Sequence, residues 1–171
     1  MARAWVVPGL RSHADFRDAA GRVILTRWCE MMSYREGTLL GENVEELHAM
    51  RVSSRRLRAA MDGFEAVFPR RSYRPFLRQV KEITDVLGRA RDLDVATERL
   101  IALAPSMADD ERPGIDGMIA RYREERSAES PRIAALFARI DTKGFERQLA
   151  KYIARHTGVK LAALTPGPGT G

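Results

Sequence analysis

The stretch from Asn43 to Pro69 constrains the architecture more than any other part of this chain. Counting about 100° of rotation per residue from His48, the side chains of Met50, Leu57, Met61, Phe64 and Phe68 gather at roughly 160–220°, the pattern of a helix that buries one face. Asn43, with Glu46 three residues on, forms a capping-box-like start, and Pro69 ends the helix. Such a helix needs other apolar faces to cover it.

The rest of the sequence supplies them at the same spacing. Phe16, Val23, Ile24, Trp28, Met31 and Met32 predict a helix from Ser12 or Asp15 to about Tyr34, and Gly37 and Gly41 bracket a turn after it. Phe76, Leu77, Val80, Ile83 and Leu87 predict another from Tyr73, with Gly88 expected to interrupt or kink it before a further stretch to about Leu103. Ile115, Met118, Ile119 and Tyr122 mark a helix ending near Ser130-Pro131. Pro131 then opens the next, carried by Ile133, Leu136, Phe137 and Ile140, and Phe145 to His156 forms the last. No alternating run is long enough for a strand. The fold class expected is all-α, an up-and-down antiparallel bundle of about five to six helices. Residues 1–11 are expected to form a loose arm, 12–156 the helical domain, and 157–171 a flexible tail rich in proline and glycine.

The same central helix carries a histidine and a set of arginines. On the wheel that starts at His48, Arg51 falls at about 300°, Arg55 at about 340° and Arg58 at about 280°, which makes one stripe beside the buried face. Arg56 points elsewhere, at about 80°. Donors spread over a rise of about 15 Å suit an extended polyanion better than one compact metabolite. Arg74, Arg78 and Lys81 form a second stripe, and the short Pro69–Ser72 connection makes the two helices antiparallel neighbours whose stripes line one groove. Residues 43–81 hold nine basic side chains against four acidic ones, so this segment supplies +5 of the chain's net +6. A surface of that sign favours anionic partners, and arginine's planar fork suits bidentate contact with phosphoryl oxygens.

Asp92 and Asp94 diverge by about 200° on a helix, so by themselves they do not make the paired-carboxylate centre that hydrolysis or two metals would need. Their expected role is to orient arginines by charge-assisted hydrogen bonds. The other histidines, His13 and His156, lie in distant segments, and the single Cys29 has no motif partner, so no metal site or cofactor is expected. One cysteine excludes an internal disulfide. No apolar run reaches the roughly 18 residues of a membrane span, and the N-terminus has no signal-peptide pattern, so a cytoplasmic location is expected.

Two motifs carry a family resemblance. The run Leu47-His48-Ala49-Met50-Arg51-Val52-Ser53-Ser54-Arg55-Arg56-Leu57-Arg58, followed by Leu87-Gly88-Arg89-Ala90-Arg91-Asp92-Leu93-Asp94-Val95 with a basic helix between, resembles the CHAD domain, the conserved histidine α-helical domain. The resemblance implies a helical bundle that binds inorganic polyphosphate, often at polyphosphate granules. It implies His48, Arg51, Arg55, Arg56 and Arg58 as ligand contacts, Arg74, Arg78 and Lys81 as further groove members, and Asp92 and Asp94 as the family's acidic pair. CHAD domains usually have two related halves, and the second, with its own histidine and basic residues, has no counterpart here. The resemblance therefore implies a shortened or half-domain member. Its missing wall is supplied by a second copy in a homodimer, or its site stays open. Members are often fused to a triphosphate-tunnel enzyme domain marked by a Glu-x-Glu-x-Lys strand, which is absent, so no enzymatic activity is expected.

The expected function is thus non-catalytic polyphosphate binding. The alternative is a nucleic-acid-binding helical protein, against which the basic stripes offer no interleaved aromatics for base stacking, Tyr73 standing only at their margin. A phosphate-handling enzyme needs a nucleophile and an acid–base partner, and only His48 offers itself.

Overall fold

The structure, a computed structural model, describes residues 3–164. Among them are six α-helices and no strand: α1 Phe16–Ser33, α2 Arg35–Leu40, α3 Val44–Gly63, α4 Arg70–Leu103, α5 Arg112–Thr142 and α6 Phe145–Thr157. The all-α bundle is therefore what the chain forms. Local chemistry sets the helix starts. The Asp15 carboxylate accepts from the Arg17 N–H at 2.8 Å, and Asn43 accepts from the Glu45 N–H at 2.9 Å, each satisfying an otherwise orphan donor.

Contacts between helices fix their directions. The Tyr73 hydroxyl donates to the Met61 carbonyl at 3.0 Å near the α3–α4 connection, and Arg51 donates to the Thr84 carbonyl at 3.2 Å far from it, so α3 and α4 run antiparallel. Glu82 pairs with Arg139 and Asp94 with Arg126, which makes α4 and α5 antiparallel too. α1 lies against α3, with Phe16 and Phe64 rings 5.1 Å apart at one end and Glu30 bound to Arg56 further along. α6 closes the bundle on α1, where Trp28 Nε1 donates to Glu146 at 3.0 Å.

The core is built from the faces the spacing picks out. Ile24, Trp28 and Met31 of α1 meet Met50, Leu57 and Met61 of α3 and Val80, Ile83 and Leu87 of α4, with Phe137, Leu149 and Ile153 from the last two helices. Glu30, with no exposed surface, is held inside by Arg27 and Arg56.

Four expectations are corrected. The turn around Gly37 is a short helix, α2, ended by Gly41 in the left-handed region at φ 71°. α4 runs unbroken through Gly88, and α5 through Pro131. Pro131 and Ser127, whose carbonyl loses its helical donor, both face solvent, so water can take the missing bond. Residues 158–164 are not yet tail: Val159 and Leu164 are each 5% exposed and belong to the core. The expected tail beyond, 165–171, lies outside the described residues. In the described part of the arm, the Pro8 carbonyl accepts from Arg22 at 3.2 Å and that of Trp5 from Arg27 at 2.9 Å.

At about 1.5 Å per residue α4 is about 51 Å long. The main core reaches only to Ala90 on α4 and Ile133 on α5. Beyond that level the two helices continue together, with Ile119 as the buried apolar residue of this outer hairpin. No described helix is long and apolar enough to cross a membrane.

Candidate anion-binding face

The basic residues of α3 and α4 meet on one side of the bundle. Arg51, Arg55, Arg58, Ala59 and Asp62 of α3, with Thr84 and Asp85 of α4, line a groove of about 530 Å³. The register set by the Arg51–Thr84 and Tyr73–Met61 contacts brings Arg55 level with Lys81 and Arg58 level with Arg78. Within the groove Arg51 is committed to the Thr84 carbonyl, and Arg58 Nε stands 3.8 Å from Asp62 in a pair open to water. Arg55 is exposed and makes no ion pair among the described residues.

On α4, Arg70, Arg71, Arg74, Arg78, Lys81 and Asp85 fall within about 100° of one another around the axis. Arg70, Arg71, Arg74, Pro75 and Arg78 line a second concavity, of about 730 Å³. Arg74, Arg78 and Lys81 are exposed, and their side chains have no ion pair or hydrogen bond among the described residues. The two stripes therefore face the same side of the bundle but line two concavities rather than the one groove expected: the α3 arginines line the first with Thr84 and Asp85, Arg74 and Arg78 line the second, and Lys81 lines neither.

Four expected members stand apart. Arg56 leaves the face altogether: it donates to Glu30 at 2.8 Å on the α1 side of α3, as its separate position on the wheel foreshadowed. Asp94 accepts from Arg126 of α5 at 2.8 Å in the outer hairpin, and its second oxygen is buried without a partner. It orients an arginine, but not one of the groove. Asp92 is exposed and pairs with nothing. His48 is half-buried one turn before Arg51, makes no side-chain hydrogen bond among the described residues, and is not among the groove's lining residues.

Other groups define the face without having been singled out. Arg70 and Arg71 extend the α4 stripe by one turn, and their place on the same wheel as Arg74 is the signal that finds them. Asp85 enters the α3 groove as a carboxylate among arginines. Gly88 makes room for Arg51. Tyr73 is fully buried, and burial, with Asp62 nearby, raises its hydroxyl well above the usual range, so it offers no stacking surface. Among the described residues no group of three or more His, Cys, Asp or Glu side chains is placed to hold a metal ion.

Comparison with known proteins agrees with the motifs. The family model for the CHAD domain matches residues 22–166, most of the chain and all of this face. A search of curated proteins finds no match.

Proposed function

We propose, for a chain that belongs to the CHAD domain family, that the α3–α4 face binds inorganic polyphosphate without transforming it. The observation that carries this reading is the set Arg55, Arg74, Arg78 and Lys81, exposed from two antiparallel helices with no acidic partner among the described residues. Like charges so placed repel one another, and a ladder of phosphoryl groups relieves that repulsion along its whole length. Release of condensed counterions adds to the affinity. Binding rather than catalysis is favoured because His48 has no hydrogen-bond partner to orient it as a base. Polyphosphate is favoured over single-stranded nucleic acid because the rings of Phe68, Tyr73, Phe76 and Tyr152 pack together on the far side of α4 from its arginines. Held in this way, the protein would localise to polyphosphate granules.

The test is equilibrium binding of long-chain polyphosphate at physiological salt, with duplex and single-stranded DNA as competitors. Polyphosphate is expected to bind tightest, and the Arg55→Ala, Arg58→Ala, Arg78→Ala triple variant to weaken it with helicity unchanged. Tighter binding of either DNA reverses the reading, and an unaffected triple variant removes it.

A further inference from the structure

We propose that the first turns of α4 form a second, separate anion subsite, in which Arg70, Arg71, Arg74 and Arg78 hold a compact run of phosphoryl groups. This rests on the reading above that the ligand is a phosphate polymer. It adds that the polymer is gripped at two places of different character, and that short polyphosphates use only one of them.

The two concavities differ in what lines them. The α3 groove mixes Arg51, Arg55 and Arg58 with the carboxylates of Asp62 and Asp85, and its Arg51 is already bound to a backbone carbonyl. The α4 cradle is larger, about 730 Å³, and its lining of four arginines and Pro75 contains no carboxylate. Among the described residues the acid that pairs with its arginines is Glu65, 3.8 Å from Arg70 Nε, in a pair whose side chains are 44% and 75% exposed and which contributes little. Among the described residues, the side chains of Arg71, Arg74 and Arg78 make no ion pair or hydrogen bond.

Such an arrangement is unfavourable by itself. Arg70, Arg74 and Arg78 stand four residues apart in succession, a spacing at which like charges destabilise a helix. Arg70 and Arg71 also lie in the first turn of a 34-residue helix, where the backbone dipole favours the opposite sign. The first turn holds no acidic residue and no side-chain cap, and while the Ser72 and Tyr73 N–H groups donate to the Pro69 carbonyl, those of Arg70 and Arg71 add to the excess of donors. A bound anion removes all three costs together. The four guanidiniums span a rise of about 12 Å, enough for a few linked phosphoryl groups, each open to bidentate contact.

From Arg70 to the level of Thr84 the α4 stripe extends about 21 Å. A long chain can therefore lie in both concavities at once, the second contact gaining from the effective concentration set by the first. A short chain has no such reach. It goes to the cradle free of carboxylates.

Calorimetric titration of tripolyphosphate and of long-chain polyphosphate into the parent protein, an Arg70→Ala, Arg71→Ala variant and an Arg55→Ala, Arg58→Ala variant separates the sites. The two variants lose the same charge, so a bulk electrostatic effect moves both alike. Loss of both α4 arginines is expected to weaken tripolyphosphate by about tenfold or more, and loss of both α3 arginines to change it by less than about twofold while still weakening the long chain. Tripolyphosphate that is indifferent to Arg70 and Arg71, or equally sensitive to both pairs, overturns the subsite. If the α3 variant alone weakens the long chain, the polyphosphate reading stands and only the subsite falls. A parent protein that binds neither ligand ends both.

Discussion

Arg51 lies across the backbone of α4 at Gly88: a Cβ built on the glycine would stand 3.1 Å from Arg51 Cζ and Nη1. The missing side chain lets a cation of one helix reach the Thr84 carbonyl of the next. Gly88→Ala is expected to be near neutral in urea unfolding, since a helix-propensity gain of about 1 kcal/mol offsets a small shift of Arg51. Gly88→Leu should cost about 1–3 kcal/mol and weaken polyphosphate binding as Arg51 is displaced. A leucine variant as stable as the parent would show that Arg51 has room to move.

Adjacent arginines should part company. Arg55, exposed and unpaired, is expected to change stability by less than about 0.5 kcal/mol on replacement by alanine while lowering polyphosphate affinity. Arg56→Ala should do the reverse, lowering the urea midpoint and leaving affinity unchanged, because its partner is the buried Glu30. Parallel losses of binding in the two variants would return Arg56 to the ligand face.

Glu30 is the most enclosed charge in the bundle, and it ties α1 to α3 through Arg27 and Arg56. Glu30→Ala is expected to cost about 3 kcal/mol, the low end for breaking a buried pair, since both arginines keep some contact with water. Chemical denaturation measures it, and a loss below about 1 kcal/mol would mean that the arginines find water at little cost.

Burial, with Glu146 nearby, pushes the Cys29 thiol up to about 11 from 9.0. Between those values the folded protein keeps a proton that the unfolded chain gives up, so stability from this group is intact below pH 9 and is lost as the pH rises toward 11. Alkylation at pH 8 should be much slower in the folded protein than in urea, and Cys29→Ala should flatten the fall in melting temperature above pH 9. Equal alkylation rates in the two states would show an open thiol.

Salt should report on the contacts directly. Polyphosphate affinity is expected to fall linearly with the logarithm of salt concentration, and each of Arg55, Arg74 and Arg78, when replaced by alanine, should make the slope shallower by about 1. Slopes that stay parallel would place these arginines off the ligand path.

Much of the bundle was legible because its helices are punctuated locally. Asp15 and Asn43 cap where their side chains reach the next N–H groups, and Met50, Leu57 and Met61 sit inside as their spacing requires. The arginine stripes were legible for the same reason: a wheel gives direction around an axis. It does not give partners. Arg56 is claimed by Glu30, 26 residues earlier, and Asp94 by Arg126, 32 residues later, and neither pairing leaves a trace in local spacing. Gly88 and Pro131 read as breaks because their propensities oppose a helix. Packing overrides both, the glycine under a crossing arginine and the proline on a wet face. Val159 and Leu164 were lost to the tail because each stands alone, without a periodic neighbour.

The hairpin beyond Ala90 and Ile133 has two helices and no third to lean on. Its amides are guarded by one shared seam, whereas those of α1 and α3 are guarded by the whole core. In heavy water the outer turns of α4 and α5 should therefore exchange through local opening, long before the body, whose slowest protons wait for global unfolding. The protein would then carry two clocks: a fast one in the hairpin, and a slow one under the arginine face, where a bound polyanion would slow it further.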